Sequence, residues 1–308
     1  MAGTKIIAGL IALAMSCGCS RSRPIVVGSK NFTEQLVLGE ILAQQIERRL
    51  GQKVKRKLNL GGTLLAHEAL VNGEIDVYPE YTGTALTAIL KLPLPSDRAQ
   101  VFAQVRSEYE KRWRLEWMGP FGFDNSFAIV IHGDEARRNH IFKLSDAARR
   151  QTGWLMGAGY EFLERPDGFT GLVKTYGLEI NGQVKTMDLG LLYRALDQRQ
   201  VEMIAASATD GMLSVLDVTV LQDDKHYFPP YEAAAVVRAD SLASRPGASR
   251  PGMREALAEL SGKLTNEAMR RLNHEVDGKH RPLADVAREF LNGPRMRNAR
   301  TVNANQRE

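Results

Sequence analysis

Hydrophobic positions along the chain fall into short continuous runs separated by stretches with helical spacing. Residues 24–28 (Pro-Ile-Val-Val-Gly) form an apolar run that predicts a short buried strand. Ser29, Lys30 and Asn31 make the turn after it. Leu38, Ile41, Leu42, Ile46 and Leu50 then recur on one helical face. Asn31 followed by Glu34 has the form of a capping pair and predicts that the helix opens there. A second helix is predicted over 64–71, stopped by Asn72-Gly73, then a strand over 75–78 and a helix over 84–90. The last part returns to strand at 234–237 and closes with helical segments near 253–264, 266–275 and 283–291. Strands alternating with helices predict an α/β fold on largely parallel sheets.

Part of this pattern repeats. Ala69-Leu70, four residues and Ile75-Asp76 are matched by Ala195-Leu196, four residues and Val201-Glu202. The strand ending at Gly28 has a counterpart in Trp154-Leu155-Met156-Gly157. Two similar α/β lobes give this spacing.

The N-terminus stands apart from the fold. Ile6 to Met15 is an apolar run of ten residues after a positive start, too short to cross a bilayer core, which needs about 20. Residues 1–20 are therefore expected to be a secretory signal peptide. Cys17 and Cys19 follow small residues, so either is a candidate for lipidation, although neither fits the lipoprotein pattern cleanly. They are the only two cysteines, so the exported part has no disulfide framework and must be held by burial. About 285 remaining residues predict two domains. The net charge of +5 and pI near 9.2 raise the question of nucleic acid. Much of the excess is scattered or lies in the tail Pro294 to Glu308, which has four arginines and one acid and reads as disordered. A solvated basic surface explains it better than a nucleic-acid footprint.

Catalytic and cofactor motifs fail on inspection. Gly157-Ala158-Gly159-Tyr160-Glu161-Phe162 imitates a dinucleotide loop but has Phe162 at the third glycine. Ser261-Gly262-Lys263-Leu264 lacks the first glycine and the hydroxyl of a phosphate loop. No Gly-x-Ser-x-Gly elbow occurs, and the six histidines never pair at metal-ligand spacing. These absences count against an enzyme and imply no cofactor.

Several stretches share a different logic. They are residues 29–35 (Ser-Lys-Asn-Phe-Thr-Glu-Gln), 58–63, 72–84 (through Tyr-Pro-Glu-Tyr-Thr-Gly-Thr), 161–168, 208–211 (Ala-Thr-Asp-Gly) and 223–231. Together they resemble the substrate-binding subunits of osmoprotectant ABC transporters, which bind glycine betaine, choline and carnitine. The resemblance runs over about residues 24 to 291 in order. It implies a two-lobed periplasmic-binding-protein fold, type II-like, each lobe a mostly parallel sheet flanked by helices. One lobe is expected from 24–124 plus 230–308 and the other from 125–229. It also implies a non-catalytic protein, periplasmic or at the outer face of the cytoplasmic membrane, working as a monomer with an ABC permease.

A betaine site has fixed chemical needs. A trimethylammonium donates no hydrogen bond, so aromatic faces must hold it. A carboxylate needs cations or N–H donors. Lys30, just before a helix start, and Arg165, in a glycine-rich turn, suit the carboxylate; the plain alternative for each is a surface cation. Thr84 offers a hydroxyl or simply caps a helix. Tyr81 and Tyr231 match cage positions of the family, and here the chain departs from the usual four tyrosines. Phe127 stands at the third position, where core packing is its plain reading, and Ser207 at the fourth. A missing aromatic wall worth about 0.5–2 kcal/mol weakens binding by roughly two- to thirtyfold. The expected ligand is therefore a quaternary-ammonium osmolyte, with a different zwitterion or amino-acid derivative as the second reading and a secreted α/β enzyme as the third.

Overall fold

The computed structural model describes residues 23–93, 97–242, 252–294 and 296. The expected signal peptide with Cys17 and Cys19, and nearly all of the basic tail, lie outside those residues.

Two five-stranded sheets organise the chain. The first contains β1 (Val26–Gly28), β2 (Lys55–Lys57), β3 (Val77–Tyr81) and β4 (Leu115–Trp117). The second contains β5 (Phe127–His132), β6 (Met156–Ala158), β7 (Lys185–Thr186), β8 (Met203–Ser207) and β9 (Val218–Val220). The chain then returns, and β10 (Ala233–Arg238) completes the first sheet. The orders are β2-β1-β3-β10-β4 and β7-β6-β8-β5-β9. In each sheet four strands run one way and one runs against them: β10 is antiparallel to β3 and β4, and β5 to β8 and β9. The opposed strand is in both cases the one delivered by a crossover, and the two crossovers pair with each other at Asp124 and Glu232.

Helices cover both faces of each sheet, so strands such as β1 and β10 are buried on both sides and read as apolar runs. Along β10, Ala233, Ala235 and Val237 join one core with Val37, Leu38 and Ile41, while Ala234 and Val236 face a second core with Leu70 and Tyr78. The second sheet alternates likewise: Ile129, Ile131, Met156 and Ala205 on one side, Ala128, Val130, Ile204 and Ala206 on the other.

The repeat is real at the level of single hydrogen bonds. A shift of 126 residues carries Val77–Tyr81 onto Met203–Ser207. Ile75 N–H donates to the Ala69 carbonyl at 3.2 Å and Val201 N–H to that of Ala195 at 3.3 Å. The following acids do the same work. Asp76 accepts the N–H of Val26 at 2.7 Å and pairs with Arg23, and Glu202 accepts that of Leu155 at 3.0 Å and pairs with Arg150. The turn between needs a left-handed residue, supplied by Gly73 (φ 71°) in one lobe and Arg199 (φ 55°) in the other.

Three sequence expectations are corrected. The first long helix spans Thr33–Leu50, with Phe32 at its N-cap and no side-chain cap. Asn31 does not cap it, because its backbone N–H is held by the Gly61 carbonyl and the Glu34 carboxylate is drawn to other donors described below. The helix expected over 84–90 is a short α-turn, Thr82–Thr84, widening into a π-turn, Ala85–Ile89. There the Thr87 hydroxyl donates to the Gly83 carbonyl at 2.8 Å, the back-bonding that loosens an α-helical ladder. The segment expected over 253–264 is helical only over Met253–Ala258.

Candidate functional site

The candidate residues follow the C-terminal ends of strands in both sheets, where ligands collect in α/β folds. Lys30 follows β1, Tyr81 ends β3, Arg165 follows β6 through the helix Tyr160–Glu164, and Ser207 ends β8. The ends of the two sheets meet there, and three buried polar knots tie them together.

The first knot is built on Lys30. Its Nζ lies 2.6 Å from Glu80 Oε1, both side chains being almost fully buried, and donates to Thr63 Oγ1 at 3.0 Å. Glu80 also accepts the Tyr78 hydroxyl at 3.0 Å and the Tyr81 N–H at 2.7 Å. Thr63 reaches across to the other lobe, its N–H donating to Glu161 Oε1 at 2.7 Å. The Lys30 ammonium also sits 5.2 Å from the centre of the Tyr81 ring.

The second knot is built on Arg165. Its guanidinium clasps Asp167 in bidentate fashion, at 2.9 and 2.6 Å, within the second lobe. Across the cleft it donates to Thr84 Oγ1 at 2.9 Å and to the Tyr231 hydroxyl at 3.3 Å. Tyr231 OH in turn donates to Asp167. The guanidinium carbon lies 5.2 Å from the Phe127 ring centre and 5.5 Å from that of Tyr231. Those two rings meet edge to face at 5.8 Å, and Phe162 and Phe228 also pack on Phe127. Burial works against the charge on Arg165, but Tyr231, Asp167 and Glu161 outweigh it and hold the guanidinium protonated. Gly83 lets Tyr231 approach, since a Cβ there would stand 2.8 Å from both the ring and the Pro230 carbonyl.

The third knot surrounds Glu34. The buried carboxylate accepts the Tyr81 hydroxyl at 2.6 Å, Asn125 Nδ2 at 2.8 Å, Asn273 Nδ2 at 3.3 Å and the Thr209 hydroxyl. Burial raises its pKa, opposed by these four donors. Ser207 joins through its hydroxyl, which donates to Asn125 Oδ1 and lies 3.0 Å from Thr209 Oγ1.

Thr84, Phe127, Arg165 and Tyr231 thus form one unit, Lys30 and Tyr81 a second, and Ser207 reaches Tyr81 only through Asn125, Thr209 and Glu34. Sequence reasoning read Glu34 only as half of a cap and did not single out Glu80, Asn125, Glu161, Asp167, Thr209 or Asn273 for the site. All but Asn125 and Asn273 lie inside the quoted motifs. The signal for Glu80 and Asp167 was chemical: a buried cation requires a carboxylate partner.

Asp210, next to Thr209, yields a pH prediction. Its carboxylate caps the turn at Gly211 by accepting the Met212 N–H at 2.9 Å. Burial lifts its pKa to about 6, with Asp277 and Glu34 adding to the shift. A folded pKa above the unfolded one gives stability that is fully present below about pH 4 and lost as pH rises through about 6. Asp210→Asn is therefore expected to stabilise the protein at pH 7 by about 1–3 kcal/mol and to change little at pH 4. Melting curves at the two pH values check this.

A protein-family model described as the substrate binding domain of ABC-type glycine betaine transport system matches residues 23–293. The ergothioneine transport permease/ergothioneine binding protein of Helicobacter pylori is 34% identical over 87% of this chain. The chain spans only about half, 47%, of that relative's length. The glycine-betaine-binding protein of Pseudomonas aeruginosa is 33% identical, covering 92% of this chain and 91% of the relative. The carnitine transport binding protein of Listeria monocytogenes is 32% identical, covering 89% and 88%. Among solved structures, one titled as a glycine betaine/carnitine/choline ABC transporter superposes with a TM-score of 0.72 at 31% identity, covering 87% of this chain and 97% of that one. The two sheets with their flanking helices are the two lobes of that fold.

Proposed function

We propose, from the premise that this chain belongs to the family of substrate-binding domains of ABC-type glycine betaine transport systems, that it captures a trimethylammonium compound between its lobes. The observation that carries the reading is the meeting, at one place, of aromatic rings from both lobes with two buried cations. Tyr81 and Tyr231 come from the first sheet's half and Phe127 from the second, and Lys30 and Arg165 reach the same cleft. The rings supply the faces a trimethylammonium needs, each worth about 0.5–2 kcal/mol. Lys30 and Arg165 supply charge-assisted donors for a carboxylate. In this arrangement the carboxylate takes the place of the Thr63 and Thr84 hydroxyls as acceptor, while Glu80 and Asp167 keep the cations oriented.

The lobes are proposed as 24–124 with 230–308, and 125–229. Thr63–Glu161, Arg165–Thr84 and Glu34–Thr209 join them across the cleft, so a ligand gripped by both favours closure. Small-angle scattering with saturating ligand is expected to give a smaller radius of gyration than the free protein. An unchanged radius counts against cleft closure.

The closed, loaded protein then hands its ligand to an ABC permease, acting as a monomer and catalysing nothing. No helix among the described residues is long and apolar enough to cross a membrane. We place the protein outside the cytoplasm after removal of the signal peptide, either released into the periplasm or tethered to the outer face of the cytoplasmic membrane through Cys17 or Cys19. Native protein isolated with Met1 intact overturns that placement.

A further inference from the structure

The large apolar side chains left uncovered are not scattered. Nine are exposed among the described residues, and five of them stand at the mouth of the cleft: Leu64, Leu65, Tyr160, Leu189 and Leu191, each between 42% and 62% exposed. Leu64 and Leu65 follow Thr63, and Tyr160 precedes Glu161, the two residues joined across the lobes at 2.7 Å. Leu189 lies against Gly159, where a Cβ would stand 2.6 Å from its Cδ2. Leu65 and Leu191 are moreover the same position of the repeat. The shift of 126 residues carries the helix Thr63–Val71 onto the helix Leu189–Asp197.

The fold does not need these side chains. Ala66, Ala69 and Leu70 seat the first helix on its sheet, and Leu192, Ala195 and Leu196 seat the second. Polar residues at the helix starts would serve the core equally well. Exposed apolar side chains that gather in one place mark an interaction site, whereas single ones do not. Charge says what kind of partner fits. Glu68, Glu164 and Asp188 are exposed within one helical turn of these residues and have no ion-pair partner among the described residues. Of the neighbouring bases, Lys57 is paired with Glu74, Lys185 is turned onto the Gln200 carbonyl and Arg165 is buried on Asp167, which leaves Arg194. Apolar side chains ringed by excess acid suit a protein surface that is apolar and basic, and gain nothing from an anionic lipid surface.

We propose that Leu64, Leu65, Tyr160, Leu189 and Leu191 form the surface on which the permease docks, its outward-facing loops supplying apolar side chains for the leucines and basic ones for Glu68, Glu164 and Asp188. This rests on the reading of the chain as the protein that delivers a ligand to an ABC permease. The surface rims the cleft, so the partner that covers it is placed to receive what the cleft releases. It is also divided between the lobes, Leu64 and Leu65 on one and Tyr160, Leu189 and Leu191 on the other. The Thr63–Glu161 contact brings the two parts to either side of one seam, and separating the lobes parts them. The permease therefore reads closure through apolar contacts, with no need to touch the ligand.

Photo-cross-linking in the native cell tests the proposal, with benzoylphenylalanine placed at Leu65 or at Leu191 in the full chain. Both positions are expected to give an adduct with an ABC permease subunit, identified by mass spectrometry, and threefold or more of it when glycine betaine is supplied. The same group at Val220, exposed on the sheet edge opposite β7, is expected to give none. In the same cells, Leu65→Gln combined with Leu191→Gln is expected to lower uptake of radiolabelled glycine betaine tenfold or more. The purified double variant is expected to bind glycine betaine with a Kd within threefold of the original and to melt at the same temperature. Adducts with a second copy of the chain alone, or with no protein, overturn the surface, and so does unchanged uptake in the double variant. A Kd that rises by the factor by which uptake falls also overturns it, by making the leucines part of the ligand site. Equal adducts with and without glycine betaine, for a chain that binds it, remove the dependence on closure. If the original chain binds no trimethylammonium compound, the reading of the cleft fails, and the adducts at Leu65 and Leu191 still decide the surface.

Discussion

Replacing Arg165 with alanine is expected to lower both stability and ligand affinity more than any other single change in the cleft. The guanidinium is 8% exposed and clasps Asp167, itself 3% exposed. Removing it leaves a buried carboxylate with the Tyr231 hydroxyl as its remaining side-chain donor. Breaking a buried pair from one side costs about 3–5 kcal/mol, which for a protein of this size lowers the melting temperature by roughly 6–20 °C. The contacts to Thr84 and Tyr231 vanish as well, so the lobes lose one of their ties. A carboxylate ligand is expected to lose about 2–5 kcal/mol of binding, and choline, which lacks that group, far less. Arg165→Lys is not a rescue, because a single ammonium cannot hold both Asp167 oxygens while reaching Thr84. Equal losses for a betaine and for choline would remove Arg165 from the carboxylate role.

The second large effect concerns Lys30 and Glu80, and it separates pairing from packing. Glu80 is 0% exposed and Lys30 2%. Lys30→Met is expected to cost about 3–5 kcal/mol, because Glu80 is left buried with its cationic partner removed and only neutral donors around it. Adding Glu80→Gln is expected to return stability to within about 1–2 kcal/mol of the original. The glutamine carbonyl can still accept the Tyr81 N–H, and its amide can still meet Tyr78. Affinity for a carboxylate ligand should not return in the double variant, since no cation remains at that position. Denaturant midpoints and titrations on the same three proteins give the two answers separately. If the double variant is as unstable as Lys30→Met, the cost lies in packing and the charge argument is wrong.

How much of this could be read in the sequence follows from where each feature gets its energy. β1 and β10 are buried on both faces and announce themselves as apolar runs, whereas β3, Val-Tyr-Pro-Glu-Tyr, was expected two to three residues early because Pro79 and the buried Glu80 interrupt its apolar pattern. β2 is Lys-Arg-Lys and β7 is two exposed residues at a sheet edge. Such strands are held by backbone hydrogen bonds and by polar side-chain contacts such as Arg56 with Glu40 and Glu47, and carry no hydrophobic signature. The helix Arg98–Trp113 was invisible for a related reason: only Val101, Val105 and Tyr109 are buried on it. The repeat was legible because the turn after Ala69 or Ala195 needs the same backbone bonds in both lobes.

The site divides in the same way. The rings and cations were found through residue types and family resemblance. Their partners were not, because Lys30 and Glu80 are 50 residues apart and Glu34 and Asn273 are 239 apart. Glu34 was misread as half of a cap because it stands three residues after Asn31. Local spacing cannot tell a carboxylate that serves its own helix from one claimed by four distant donors.

The central claim is that the cleft recognises a quaternary cation through aromatic faces. Glycine betaine and its carbon isostere 3,3-dimethylbutanoate have the same shape and the same carboxylate, and differ in the positive charge. Titrating both into the protein by calorimetry is the most direct test. Binding of glycine betaine at least tenfold tighter than the isostere is the predicted result, matching the roughly 0.5–2 kcal/mol that each ring face contributes. Equal affinity for the two, or tighter binding of the isostere, would contradict the account.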